Sequence, residues 1–179
     1  MESLERKDRN DGLTKVRVLP QVWASEGGKH ARMRRRKRGV VIGLEKTIKC
    51  HKLAKGVAEG EALVSKDTIC FYLSEPKTGI IRERGHELEG KSVKRRVLVF
   101  PSGKASSAVQ MDGLVKLLLN KNAPAAMIVK DVEPVLVGSA VLTKIPLVDR
   151  LQEDPFETIH TGDMVKVDAD QGIVTLIRK

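Results

Sequence analysis

The chain is poor in aromatic residues, with three Phe, one Tyr and one Trp among 179 positions. A core made from it must rest on Val, Leu, Ile and Ala, and the stacking platforms that bind single-stranded nucleic acid are almost absent. Cysteine is scarcer still, represented by Cys50 and Cys70 alone. Neither sits in a CxxC pair or near a spaced histidine constellation, so no metal site is expected on this chain. No apolar run approaches the ~20 residues that cross a bilayer. The first residues lack the apolar core of a signal peptide. Two cysteines without a secretion signal point to a reducing, cytoplasmic setting.

A net charge of +10 invites a nucleic-acid partner, but its distribution argues otherwise. Residues 1–46 hold thirteen Lys/Arg against six Asp/Glu, a net of +7, whereas residues 47–179 carry only +3. The excess centres on Arg32-Met33-Arg34-Arg35-Arg36-Lys37-Arg38. Such a run binds phosphates by counterion release where it is exposed. The reading preferred here is a solvated, flexible extension, so nucleic acid is not an expected partner. The expected organisation is a basic extension over 1–46 and one compact domain over 47–179.

The most informative stretch begins with the apolar run Val97–Phe100, which stops at Pro101. A loop of small donors follows, Ser102-Gly103-Lys104-Ala105-Ser106-Ser107. Ala108 to Asn120 then carries Val109, Leu114, Leu117 and Leu118 at helix-like spacing. Strand, small loop and helix together form a geometry in which backbone N–H groups face an anion. Elsewhere Ile48–Leu53, Ile69–Leu73, Ala125–Val129 and Ile145–Val148 read as strands, the last delivering Asp149 and Arg150. Val135–Leu142 reads as strand or short helix. Met164–Asp168 and Ile173–Ile177 form a hairpin signal around a short turn. Val16–Pro20 and Val40-Val41-Ile42 are further short candidates. Strands interleaved with helix predict an α/β fold with a parallel or mixed sheet.

Lys104, Ser106, Ser107 and the backbone of Gly103 are candidate binders of a carboxylate or phosphate. Equally, Pro-Ser-Gly is an ordinary turn, and Ser106 or Ser107 suits a helix N-cap. Arg150 either reaches a substrate carboxylate bidentately or pairs with Asp149 or Glu153. His86 and His160 read as structural or solvent-exposed.

Five segments occur in order: Lys55-Gly56-Val57-Ala58-Glu59-Gly60-Glu61-Ala62-Leu63-Val64-Ser65, Phe100–Ser107, Ala123-Pro124-Ala125-Ala126, Ile145–Leu151 and Thr161–Asp168. With them the chain, over about residues 47–179, resembles the small subunit of the aconitase X family. The resemblance implies a swivelling β/β/α domain, a mixed sheet or barrel-like core with flanking helices. It implies a large partner subunit carrying a 4Fe–4S cluster, with no cofactor held by this chain. In archaea the family includes phosphomevalonate dehydratase. The implied reaction is dehydration of mevalonate 5-phosphate, a small phosphorylated hydroxy acid, to anhydromevalonate 5-phosphate on the way to isoprenoid precursors. A cis-3-hydroxyproline dehydratase of the same family is the alternative.

Ser102 matches the family's proton acceptor, and Gly103, Lys104, Ser106, Ser107 and Arg150 become the expected substrate contacts. Glu59 and Glu61 look like a catalytic carboxylate pair, but a glycine-flanked turn against the larger subunit is the preferred reading. The chain departs from the family pattern at Leu73-Ser74-Glu75, at Ala108-Val109-Gln110, and at Ala105, where glycine is usual. Phosphohistidine domains also resemble residues 161–177. Yet none of His30, His51, His86 and His160 lies in the glycine- and hydroxyl-rich loop they require.

Dehydrating a β-hydroxy acid means taking a proton alpha to a carboxylate and expelling hydroxide. A serine serves as that base only if its surroundings ionise it. A helix N-terminus, successive backbone N–H groups and Lys104 would all favour an alkoxide at Ser102.

Overall fold

A computed structural model describes residues 15–16 and 44–178. The basic run Arg32–Arg38 and the Val40-Val41-Ile42 candidate lie outside the described residues. The strands are β1 (Lys15–Val16), β2 (Leu44–Lys49), β3 (His51–Ala54), β4 (Val57–Val64), β5 (Val97–Phe100), β6 (Ala126–Val129), β7 (Leu147–Asp149), β8 (Met164–Asp168) and β9 (Ile173–Arg178). The α-helices are α1 (Ser107–Leu119), α2 (Pro134–Thr143) and the single turn α3 (Pro155–Thr158). The strands share one mixed sheet in the order β1-β2-β9-β8-β4-β5-β6-β7-β3. The α/β class and mixed sheet agree with the sequence pattern.

The sheet turns two corners, and each comes from a strand that serves both halves. β4 pairs antiparallel with β8 through Val57–Glu61 and parallel with β5 through Ala62–Val64. The predicted strand Ile48–Leu53 splits at Cys50, where the amide donates to the carbonyl of Gly172 (2.9 Å). Before the split, β2 pairs with β9; after it, β3 pairs with β7 at the far end of the order. The two halves therefore face each other. Between them pack Ile48, Ala62, Val97, Val99, Ile128, Val148, Val165, Val167, Val174 and Leu176.

The other side of the parallel strands receives the helices. Leu98 and Phe100 of β5, with Met127 and Val129 of β6, pack against Leu114 and Leu117 of α1 and Leu136 and Ala140 of α2. Alternate residues thus enter alternate cores, which is why β5 and β6 read as unbroken apolar runs rather than alternating ones. The layers are β, β and α.

One segment left open by the sequence is decided, and one expectation is overturned. Val135–Leu142 is a helix, α2, apolar on all sides. Its start is fixed by Pro134 in the first turn and by the Glu133 carboxylate, which accepts from the amides of Val135 (2.9 Å) and Leu136 (2.8 Å). Ile69–Leu73, predicted as a strand, is a single bridge at Ile69 followed by a 3₁₀ turn over Phe71–Leu73. Phe71 is fully buried while Tyr72 and Leu73 are exposed, so the apolar run does not mark a sheet position.

That turn lies directly on α1 at Gly113. A Cβ at Gly113 would stand 2.2 Å from the amide nitrogen of Tyr72 and 2.4 Å from the carbonyl carbon of Phe71, both backbone atoms with nowhere to go. Gly113→Ala is therefore expected to destabilise the fold by about 3 kcal/mol through overpacking. The corresponding fall in the thermal midpoint, about 10 °C for a domain of this size, is measurable by calorimetry.

Candidate active site

The parallel strands β5, β6 and β7 end level with one another. Phe100 pairs with Val129, and Ile128 pairs with Val148, placing Val129 beside Asp149. In sheets of this kind ligands gather outside the carboxyl ends of the strands. The Pro101–Ser107 loop leaves from that edge.

The loop is held by its backbone. The Pro101 carbonyl accepts from the amides of Lys130 (3.1 Å) and Asp131 (2.9 Å), tying the end of β5 to the end of β6. Gly103 forms a parallel bridge with Ile69: the Ile69 amide donates to the Ser102 carbonyl and the Lys104 amide to the Ile69 carbonyl, each at 3.1 Å. Gln110 of α1, fully buried, then fastens the bridging segment to the helix. Its Nε2 donates to the Ile69 carbonyl (3.1 Å) and its Oε1 accepts from the Phe71 amide (3.2 Å). A residue that reads in the sequence as a departure from the family pattern is therefore a structural tie.

At an extended residue neighbours alternate in direction. Gly103 directs its missing Cβ toward Gln110, Leu136 and Glu133 in the helical layer. Ser102 and Lys104 accordingly project together to the opposite, open side. Ser102 is half-buried, and its hydroxyl makes no hydrogen bond among the described residues. Ser106 occupies the N-cap position of α1, but its hydroxyl makes no capping bond. Ser107 opens the helix and is exposed. The loop thus brings Ser102, Gly103, Lys104, Ser106 and Ser107 together at one helix N-terminus.

Lys104 stands differently from the expected support for an ionised Ser102. Its ammonium donates to the Glu83 carboxylate at 2.5 Å, so much of its field is compensated. Arg150 is exposed at the end of β7, with its Nε 3.5 Å from Asp149 Oδ2 rather than on Glu153, which pairs with Lys46. Asp149 itself is buried. One oxygen meets His51 Nδ1 at 2.7 Å, and the other has no hydrogen-bond partner. Glu59 and Glu61 are not in a turn: both lie within β4, and Glu61 pairs with Arg96 at 2.5 Å. His86 is buried, accepting at Nδ1 from the Leu88 amide (2.9 Å) while Nε2 lies 3.3 Å from the Thr68 carbonyl. His160 is exposed. No histidine occupies the loop that a phosphohistidine domain would require.

Neither cysteine suits an iron–sulfur cluster. Burial, and secondarily the charges of Asp149 and Asp168, push the Cys50 thiol up to about 11, so the thiolate that a cluster needs is disfavoured. Cys70 is buried. Among the described residues no group of three or more His, Cys, Asp or Glu side chains is arranged to hold a metal ion. No described helix is long and apolar enough to cross a membrane.

The family model for the aconitase X swivel domain matches residues 47–176. The phosphomevalonate dehydratase small subunit of Methanococcoides burtonii is 44% identical over 131 residues, covering 73% of this chain and 95% of that protein. That of Methanocella arvoryzae is 48% identical over 130 residues, covering 72% and 98%. The crystal structure of Thermococcus kodakaraensis aconitase X in its holo form superposes with a TM-score of 0.67 at 36% identity, covering 73% of this chain and 97% of that one.

Two outcomes follow from the local geometry. Ala105 holds φ = +101°, a backbone conformation that costs a residue with a Cβ about 1–3 kcal/mol. Ala105→Gly is expected to stabilise the fold by about 1 kcal/mol in denaturant unfolding, the relief outweighing the added freedom of the unfolded chain. At pH 8 a thiol near 11 ionises about a hundredfold less than one near 9. Iodoacetamide should therefore alkylate Cys50 about a hundredfold more slowly than a free cysteine peptide, as read by mass spectrometry.

Proposed function

Since the chain belongs to the aconitase X swivel-domain family, we propose that it is the small subunit of a hydro-lyase that dehydrates mevalonate 5-phosphate to anhydromevalonate 5-phosphate. The supporting relatives carry that name at 44% and 48% identity, across nearly their whole length. A small subunit presupposes a large one. That partner holds the 4Fe–4S cluster in this reading, because the donor set here does not suit it. A cluster of this kind supplies Lewis acidity to the departing hydroxide.

The observation that carries the chemistry is the Ser102 hydroxyl, without a hydrogen bond among the described residues, in a loop whose backbone is fastened on both sides. Its role is to receive the proton alpha to the substrate carboxylate. The C–H bond breaks toward Ser102 Oγ, its electron pair becomes the new C=C bond, and the C–O bond of the β-hydroxyl breaks with loss of hydroxide. A rigid loop keeps the base within reach of one carbon, and that placement is what general base catalysis requires. The N-terminus of α1, with no acidic residue in its first turn, favours negative charge on the same side. Ser106, Ser107 and the Gly103 amide are the donors for the substrate's anionic groups.

The test is co-expression with the large subunit under anaerobic conditions and assay on mevalonate 5-phosphate and cis-3-hydroxyproline side by side. Turnover is expected on the phosphorylated acid. Ser102→Ala is expected to lower kcat by about 10²–10⁴-fold without changing the thermal midpoint, because the hydroxyl makes no structural bond. Full turnover by the Ser102→Ala complex, or turnover by this chain alone, would overthrow the assignment.

A further inference from the structure

Lys104 reaches across to a residue that no motif singles out. Glu83 lies 21 positions earlier, on the strap between Ile81 and Gly90, and accepts from the Lys104 ammonium at 2.5 Å. The strap is fastened to the segment that follows β4. The Glu87 amide donates to Asp67 Oδ2 (2.8 Å), the Lys66 amide donates to Glu87 Oε2 (2.5 Å), and the ring of His86 lies against the Thr68 carbonyl. Ile81 and Leu88 anchor it in the helix-side core. The segment beyond Thr68 is Ile69, the residue bridged to Gly103. Glu83 and Lys104 are thus set on two backbones that are themselves joined.

The pair is half-exposed, at 22% for Glu83 and 37% for Lys104. Ion pairs in such surroundings add little to stability. What this one does supply is location. A lysine ammonium on a four-carbon stem wanders, and it carries three donors. With one donor committed to Glu83, the ammonium is confined to the open side of the loop that also carries Ser102, and two donors remain free. Of the two arginines flanking Glu83, Arg82 is occupied by Glu75 at 2.7 Å.

We propose that Glu83 is a positioning residue of the active site, holding Lys104 where its remaining donors dock an anionic group, carboxylate or phosphate, of the substrate. The proposal rests on the dehydratase reading above. It assigns Lys104 to binding rather than to ionising Ser102, since the paired charge is largely compensated. Removal of Glu83 therefore affects KM and leaves kcat nearly alone.

Kinetics of the assembled complex on mevalonate 5-phosphate test it. Glu83→Ala is expected to raise KM about tenfold with kcat changed less than about threefold. Glu83→Gln, which keeps an acceptor oxygen at the same reach, should restore KM to within about threefold of the parent. Glu83→Ala and Lys104→Ala should be strongly non-additive, the double variant matching Lys104→Ala alone. An unchanged or lowered KM in Glu83→Ala, or a Gln variant as impaired as the Ala variant, overturns the proposal. A second readout needs no turnover. Acylation of Lys104 in the full-length chain, followed by peptide mass spectrometry, should rise at least about threefold in Glu83→Ala as the ammonium is released. Unchanged labelling also overturns the proposal. An inactive parent complex would sink the dehydratase reading instead, with the labelling still deciding whether Glu83 holds Lys104.

Discussion

The close approach of the Gly103 backbone to the helical layer is the constraint on which the rest of the site depends. A Cβ there would meet Gln110 Nε2 at 2.9 Å and Leu136 Cβ at 3.3 Å. Gln110 cannot yield freely, because its amide serves the Ile69 carbonyl and the Phe71 amide from a fully buried position. Displacing it would leave buried polar groups without partners, which costs more than a typical hydrogen bond contributes. Glycine at 103 therefore permits the bridge to Ile69, the bridge makes the segment extended, and the extension turns Ser102 and Lys104 to the same open side. Glu133 joins this arrangement from α2, capping that helix within contact distance of Gly103. One absent side chain thus couples β5, α1, α2 and the segment after β4.

Much of this was legible in the sequence where a single physical pattern decides the local structure. Val97–Phe100 is buried on both faces, so its unbroken apolar run survives as a strand, and the hairpin of β8 and β9 follows from alternation around a turn. Local pattern failed where tertiary packing overrides it. Ile69–Leu73 looks like a strand by composition, yet Gly113 allows α1 to lie on its backbone, and a 3₁₀ turn results. Val135–Leu142 stays open between strand and short helix because no polar face sets a period, and Pro134 and Glu133 decide it as a helix. Ala105 could be noticed as a residue where glycine is usual, but only the backbone shows why: φ is +101°. Glu83 had no signal at all. It sits in a charged stretch, and its partner is distant in sequence.

The electrostatics at this edge of the sheet have a common character. Lys104 meets Glu83, Lys130 meets Asp154, and Arg150 lies beside Asp149. Among the described residues, the two cations that the sequence singles out as anion binders, Lys104 and Arg150, each have a carboxylate of this chain close by. Such pairing limits long-range attraction and leaves short-range, directional donors, which discriminate by geometry rather than by charge alone.

From that follows the division of labour in the proposed enzyme. A loop whose lysine is already paired orients a substrate through short-range, directional donors more than through its net charge. In that proposal the Lewis acidity that draws off the hydroxide is assigned to the partner subunit. The proposed base, Ser102, requires that water be kept from it, because an ionised serine open to water would be protonated before it met its substrate. A hydroxyl without a hydrogen-bond partner among the described residues, on a fastened loop, suits the base role proposed for Ser102. The fastening by Gln110 and Ile69 then has a functional sense in the proposed enzyme, since Ser102 meets one carbon accurately only if the loop does not move within its own domain.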